Sequence, residues 1–330
     1  MPDRNKAPQQ RRDSATPRRW RQIAGPVGLI EPGRRNAITD VPGVRVGHSQ
    51  AAGGERTGVT VVAPPALPAP AGTAVVNGMG ELTGKIEIDE RGVMETPLYL
   101  CGSHAVGAVH AAAVLASGRG PDDIVLPVVG ECDDGWMADS RTVVAADVEA
   151  ALGALGEDVA EGTVGAGTGM STFDFPGGIG TSSRAVGEHH VGVLLLCNFG
   201  DRERLDLLGS SLEPAAYKGS PPGSCIAVCA TDAPLAPHQL RRMALRPLLG
   251  LARAGSYASE GSGEIGLAFS TGAPFTFSND DLDPYFAAAW EAAHEAVLNC
   301  LVAGRPARRL DGSMQERFPV ELAERLARER

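Results

Sequence analysis

The chain has 330 residues, 43% of them hydrophobic, which is enough to bury the core of one large or two ordinary globular domains and excludes disorder over most of its length. A formal net charge of -10, with the basic residues beyond the N-terminus scattered, argues against a nucleic-acid or anionic-membrane surface and for a small-molecule or peptide ligand. Six dispersed cysteines (Cys101, Cys132, Cys197, Cys225, Cys229, Cys300) read as reduced core residues, and no stretch approaches the roughly 20 apolar residues of a membrane span, so a cytoplasmic protein is expected.

Residues 1–35 are polar, basic and Pro-containing, and predict a disordered tail, because too few apolar side chains are present to offset the entropy of ordering them. Arg11-Arg12 and Arg18-Arg19-Trp20-Arg21 invite a twin-arginine export reading, but the apolar run after them is short and broken by Pro26 and glycines. Folding proper starts near Ile38. Short β-like runs at 44–46, 59–62, 74–76 and 97–101 lead to a helix over 103–117 with Ser103 as its cap. Residues 124–129 read as a buried strand, 142–155 as a helix with an apolar face, and 191–198 as another buried strand. A polar segment over 200–223 closes with Pro221-Pro222-Gly223, and Ser224 then opens a strand over 225–230. A helix over 237–254, which Pro247 should kink or split, a strand over 265–270 and helices over 282–302 and 320–328 complete the chain. Strands and helices without a clean β-α-β alternation argue for layers of helix, sheet, sheet and helix rather than a Rossmann-type wind. No linker divides residues 36–330, which are therefore expected to form one domain.

The junction before Ser224 is the most informative position. A stiff loop that feeds a serine into a strand is ordinarily a turn. If the chain instead cuts itself between Gly223 and Ser224, one residue acquires both a hydroxyl nucleophile and an amine base. Asn198 ends a predicted strand, where its carboxamide can donate to a developing oxyanion or simply form an Asx turn before Phe199-Gly200. Ser262 and Glu264 are two apart and share a face of extended backbone, so the pair can hold or relay a proton, unless Glu264 is merely solvated. In Glu131-Cys132-Asp133-Asp134-Gly135-Trp136, carboxylates beside an indole suit a cationic group such as an α-ammonium, and the same residues also describe an ordinary turn. Gly165-Ala-Gly-Thr-Gly169 and Gly177-Gly-Ile-Gly180 lack the lysine of a phosphate loop and read as close backbone packing or pocket lining. His104 and His110 diverge on their helix, His189 and His190 point oppositely, and no HExxH or CxxC occurs, so no metal or cofactor is expected.

These segments together resemble peptidase family S58, the DmpA-type self-processing aminopeptidases that include β-peptidyl aminopeptidases. The resemblance runs from about Ile38 to the C-terminal helix. Its carriers are Ile38-Thr-Asp-Val-Pro-Gly-Val-Arg-Val-Gly-His48, Thr57-Gly-Val-Thr-Val61, Val76-Asn-Gly78, Glu95-Thr-Pro97, Pro127-Val-Val-Gly-Glu131, Gly165-Ala-Gly-Thr-Gly169, Gly178-Ile-Gly-Thr181, Gly223-Ser224, Ala230-Thr-Asp-Ala-Pro234, Pro237-His-Gln-Leu240 and Phe269-Ser-Thr271. It implies an α+β, four-layer αββα sandwich of the DmpA/ornithine acetyltransferase kind, cut between Gly223 and Ser224 into an α-chain and a β-chain of residues 224–330. Carried over, Ser224 is the nucleophile, Asn198 the oxyanion donor, and Ser262 and Glu264 the supporting hydroxyl and carboxylate. Glu131 then binds the substrate's free amine, with Asp133 and Trp136 shaping that pocket. The family often has Asn where Asp133 stands and in some members Tyr where Trp136 stands, differences that bear on substrate preference. Implied substrates are short peptides, amino-acid amides or esters, with D- or β-residues among them, and the implied assembly is a homotetramer of processed αβ protomers. Other readings are an N-terminal-nucleophile amidase on non-peptide amides, an ornithine acetyltransferase-like acyltransferase, or an inactive binding scaffold, against which the intact Ser224, Asn198, Ser262 and Glu264 argue.

Overall fold

The computed structural model describes residues 18–51, 56–215, 223–272 and 277–330. Helix α1 (Trp20–Ala24) precedes strands β1 (Arg45–Gln50), β2 (Gly58–Ala63) and β3 (Ala69–Gly78). Then follow α2 (Lys85–Arg91), β4 (Val93–Met94), β5 (Leu98–Gly102), α3 (Val106–Ala116), β6 (Val128–Cys132) and α4 (Ala145–Gly153). A short pair, β7 (Ser171–Thr172) and β8 (Phe175–Pro176), leads into β9 (Ile179–Val186) and β10 (His189–Asn198). The chain continues through β11 (Ser224–Thr231), α5 (Pro237–Ala254), β12 (Gly263–Ser270), α6 (Asp283–Ala303) and α7 (Val320–Arg328).

The strands form a four-stranded sheet in the order β1-β2-β5-β6 and a six-stranded sheet in the order β4-β3-β12-β11-β10-β9. In the larger sheet β11 and β12 run parallel and the other neighbours antiparallel. Period-two alternation along each strand builds the layers. On β10, Leu194 and Leu196 enter a core shared by the two sheets, whereas Val193, Leu195 and Cys197 turn to a core with α5 and α6. On the smaller sheet Val62, Leu98, Leu100 and Val128 meet the larger one, while Val59, Val61, Tyr99 and Val129 face α3 and α4. The result is the four-layer αββα sandwich. Each buried aliphatic side chain contributes roughly 1.5–3 kcal/mol on leaving water, so a one-residue slip, which would exchange the two faces of a strand, is strongly disfavoured. Among the described residues, no helix is long and apolar enough to cross a membrane.

Several elements differ from expectation. The strand expected over 124–129 lies instead at Val128–Cys132: Ile124 is exposed, and the buried run extends through Glu131 and Cys132. The helix expected over 103–117 starts as a 3-10 turn, Ser103–Ala105, and Ser103 gives its hydroxyl to Glu131 rather than capping. Pro247 neither splits nor ends α5, which runs from Pro237 to Ala254 with Pro247 buried in its packed face. β9 carries Thr181, Ser182, Ser183 and Arg184, a polar run that hides a strand; all four are buried, and the Ser183 hydroxyl donates to Asp40 at 2.6 Å. Gly180 lies against the Ala296 carbonyl, where any Cβ would collide, so this glycine serves the close approach of α6 to β9.

Residues 18–35, expected within the disordered tail, fold back onto the domain. Trp20, Ile23 and Val27 are buried in the helix-side core. Arg19 pairs with Glu161 at 2.7 Å, Arg21 with Glu295 at 2.8 Å, and the Trp20 N–H donates to Asn299 Oδ1 at 3.0 Å. The expectation counted these arginines as solvated charge, but their partners are buried carboxylates distant in sequence. Residues 1–17, with the Arg11-Arg12 pair, lie outside the described residues, as do Pro221 and Pro222.

Candidate active site

β10 ends at Asn198 and β11 begins at Ser224, and the antiparallel register sets these two residues directly opposite each other. On the other side of Ser224, in parallel register, stands Gly263, the first residue of β12. Three strand ends therefore bring Ser224, Asn198 and the Ser262-Gly263 step to one edge of the large sheet. Alternation puts Asn198 on the face of Leu194 and Leu196, and Ser224 on that of Ile226 and Val228. Both side chains point between the sheets, with Cβ atoms about 5 Å apart as for any directly opposed pair.

Gly223 fits only as glycine, since a Cβ there would fall 2.6 Å from Phe199 Cα and 2.7 Å from the Asn198 carbonyl oxygen. Its own carbonyl accepts from the Gly263 N–H at 3.1 Å, so the Gly223-Ser224 peptide is held in the sheet. The Ser224 Oγ is buried and has no partner of ordinary hydrogen-bond geometry among the described residues. Nearby Cys132 on β6 is no base, because burial pushes its thiol well above the ordinary range.

Asn198 forms no Asx turn. Its Oδ1 accepts from the Ser171 N–H at 2.9 Å and its Nδ2 donates to the Asp133 carbonyl at 2.8 Å, which leaves one Nδ2 proton for a ligand. Ser171 belongs to the β7-β8 hairpin, whose turn residues Phe173 and Asp174 have φ of 49° and 63°, the sign required at both centres of a tight type I′ connection. The Phe173 N–H donates to the Phe199 carbonyl at 2.8 Å and fastens this hairpin beside the end of β10.

Ser262 donates its hydroxyl to Glu264, and both residues are buried, so Glu264 is not a solvated surface carboxylate. Burial raises its carboxyl above the usual glutamate range, against the lowering effect of the Ser262 hydrogen bond. Glu131 lies within β6 rather than in a turn. One of its oxygens accepts from the Glu81 N–H at 2.8 Å and the other from the Ser103 hydroxyl. Burial lifts this carboxyl too, and the two donors pull it partly back. The turn that follows is rigid: Asp134 is buried, its Oδ2 accepts from the Thr57 hydroxyl at 2.7 Å, and its carbonyl accepts from the Met137 and Ala138 N–H groups. Asp133 Oδ1 accepts from the Gly135 N–H at 2.9 Å.

A cavity of about 700 Å³ opens here, lined among others by Ser224, Glu131, Asp133, Trp136, Ser103 and Met79. A second, of about 340 Å³, adjoins it at Trp136, Gly223 and Gly261 and is lined by Asn198, Ser262, Tyr257 and Asp201. All the sequence-predicted site residues but Glu264 line one cavity or the other; Glu264 stands behind Ser262. Sequence reasoning gave Ser103 only as a helix cap and Asp134 only within the carboxylate segment, and missed Glu81 and Ser171. Glu81 and Ser171 act through backbone N–H groups that any residue offers, so no side-chain signal marks them. Among the described residues no group of three or more His, Cys, Asp or Glu is placed to hold a metal ion.

Comparison with known proteins gives one consistent result. The family described as Peptidase family S58 matches residues 36–315. The β-peptidyl aminopeptidase BapA of Sphingosinicella microcystinivorans is 37% identical over 88% of this chain and 87% of its own length. A β-aminopeptidase from Burkholderia sp. superposes with a TM-score of 0.84 at 41% identity, covering 94% of this chain and 99% of the other. The L-aminopeptidase D-Ala-esterase/amidase of Ochrobactrum anthropi, a prototype serine aminopeptidase with a variant of the Ntn-hydrolase fold, superposes at 0.82 with 33% identity over 94% and 98% of the two chains.

Proposed function

The chain belongs to peptidase family S58 and is a serine aminopeptidase; from that premise we propose that Ser224 is its nucleophile, freed as a new N-terminus by self-cleavage after Gly223. The observation that carries this reading is the register that faces Asn198 against Ser224, with Glu131 lining the same cavity as the serine. In the precursor, Ser224 Oγ attacks the Gly223 carbonyl carbon while the Ser262-Glu264 pair takes the hydroxyl proton. The pair returns that proton to the Ser224 nitrogen as the C–N bond breaks and an ester forms, and water hydrolyses the ester to a Gly223 carboxylate and a free Ser224 amine. That amine has an ordinary pKa of about 8, so part of it is neutral near pH 7 and accepts the Oγ proton during attack on a substrate.

In the mature enzyme the substrate's terminal ammonium pairs with Glu131 beside the Trp136 indole, and its acyl residue occupies the larger cavity. The free Nδ2 proton of Asn198 stabilises the tetrahedral oxyanion, a contribution worth about 10²–10³ in kcat in comparable sites. The departing amine takes its proton from the Ser224 ammonium and leaves through the smaller cavity; water then releases the acyl group. Short peptides, amino-acid amides and esters fit this arrangement. The volume of the larger cavity, with the β-peptidyl and β-aminopeptidase character of the BapA and Burkholderia relatives, supports including β-amino-acid ends. A homotetramer of processed protomers is part of the same reading, and light scattering after size exclusion checks it.

Denaturing mass measurement tests the central step. The wild type is expected as two fragments meeting at Gly223/Ser224 and Ser224→Ala as one intact, inactive chain; an active wild type that stays intact overturns the proposal. N-acetylation of a cleaved substrate is expected to abolish turnover, since it removes the charge that Glu131 binds.

A further inference from the structure

We propose that Gln315 is a positioning residue for the oxyanion donor, acting through Ser171, so that the segment after α6 forms part of the active-site scaffold. The inference rests on the reading of Asn198 as that donor. The direction of the free Nδ2 proton depends on two anchors, the Asp133 carbonyl and the Ser171 N–H. The first is fixed by the buried Asp134 turn. The second sits in a two-residue strand whose hairpin turns through a phenylalanine at positive φ, a conformation that bulky residues adopt only under outside restraint.

Gln315 supplies that restraint. It is 2% exposed, and its Nε2 donates to the Ser171 hydroxyl oxygen at 2.9 Å. A buried carboxamide must keep its hydrogen bonds to be tolerated, so an apolar side chain would fill this place more cheaply were packing its only task. The backbone of the same segment is ordered by the Gln315 N–H on the Ala307 carbonyl at 2.9 Å and by the bridge between Arg308 and Met314. The Leu310 N–H donates to the Trp136 carbonyl at 3.0 Å. One loop thus holds both the anchor of Asn198 and the aromatic wall shared by the two cavities. Productive oxyanion geometry tolerates only about 0.5 Å of drift, which makes a loosened Ser171 visible in turnover.

The test uses Gln315→Met, which keeps the length and removes the donor, and Ser171→Ala, which removes only the hydroxyl that Gln315 holds. Rates on an alanyl or β-alanyl p-nitroanilide are normalised to the fraction of self-processed chain. Each variant is expected to lose about 10-fold in kcat with KM within about 2-fold, a fraction of the full oxyanion contribution. The double variant is expected to be no worse than either single one, and Gln315→Met is expected to cost nothing further in an Asn198→Ala background. Wild-type kcat in Gln315→Met, or an additional loss on top of Asn198→Ala, overturns the inference while leaving the proposed function intact. Wild-type kcat in Asn198→Ala itself overturns the inference together with the reading of Asn198 as the oxyanion donor. Should Gln315→Met fail to fold, Ser171→Ala in the two backgrounds decides the question.

Discussion

The amine-binding role proposed for Glu131 rests on how one buried carboxylate is held. Burial lifts its pKa above the ordinary glutamate value, and the Ser103 hydroxyl and the Glu81 N–H partly restore the charged form by donating to it. Ser103 favours the ionised state, so Ser103→Ala should raise the carboxyl further. The acid limb of kcat/KM, which reports the free enzyme, is then expected to move to higher pH, with activity at pH 5.5 falling more than at pH 8. A pH profile superimposable on the wild type would show that Glu131 does not control substrate capture. Asp133 makes the complementary point. Its carboxylate lines the large cavity and accepts from its own turn, but its carbonyl, which carries no residue identity, orients Asn198. An asparagine there would keep that carbonyl, so the identity of residue 133 bears on the charge of the pocket and not on the hydrogen bond that holds Asn198.

Among the elements, α1 and the residues after it show how buried partners convert a basic tail into structure. Trp20 is 2% exposed and packs in the helix-side core, so Trp20→Ala is expected to lower stability by about 3–5 kcal/mol. Because Trp20 lines neither cavity of the cleft, the folded fraction should keep its kcat/KM; urea denaturation with parallel kinetics checks both halves. The strands of the large-sheet core were legible because Leu194 and Leu196 alternate with Val193 and Leu195, and Ile226 and Val228 with Ala227 and Cys229. The span of α5 was legible from its apolar stripe, but its continuity through Pro247 was not. β9 and the 18–35 segment were not, because their polar side chains are satisfied by Asn36, Asp40, Glu291 and Glu295, partners that only tertiary structure supplies. The site divides along the same line. Ser224, Asn198, Ser262, Glu264 and Glu131 were candidates from side-chain chemistry beside predicted strands and from the family resemblance, whereas Ser171, Glu81 and Gln315 make contacts that follow from the packing of segments distant in sequence.

At the scale of the whole molecule, close-packed layers leave two imidazoles where protonation is penalised. His48 on β1 gives one ring nitrogen to the Thr60 hydroxyl at 2.9 Å, and its buried Nε2 has no partner among the described residues; His294 on α6 likewise has an unpartnered buried Nδ1. Burial lowers both from the ordinary 6.5 to about 4, with Arg253 adding to the effect on His294. As pH falls from 6.5 toward 4, the unfolded chain binds these two protons and the native state does not, so both histidines withdraw stability across that window and are without effect above it. Raised carboxylates such as Glu131, Glu161 and Glu264 have the opposite sign, since the native state holds their protons more tightly than the unfolded chain. The total pH dependence therefore mixes two contributions, and a difference between variants separates them. Relative to His48→Gln, the wild type is expected to lose about 2–3 kcal/mol of stability between pH 7.5 and pH 4.5, and a comparable amount relative to His294→Gln. The two sites lie in different layers, one on the small sheet and one on the helix above the large sheet, so the double variant should combine both effects. Urea midpoints measured across this range decide the matter: a stability difference that does not change with pH would mean that these imidazoles titrate alike in the folded and unfolded chains.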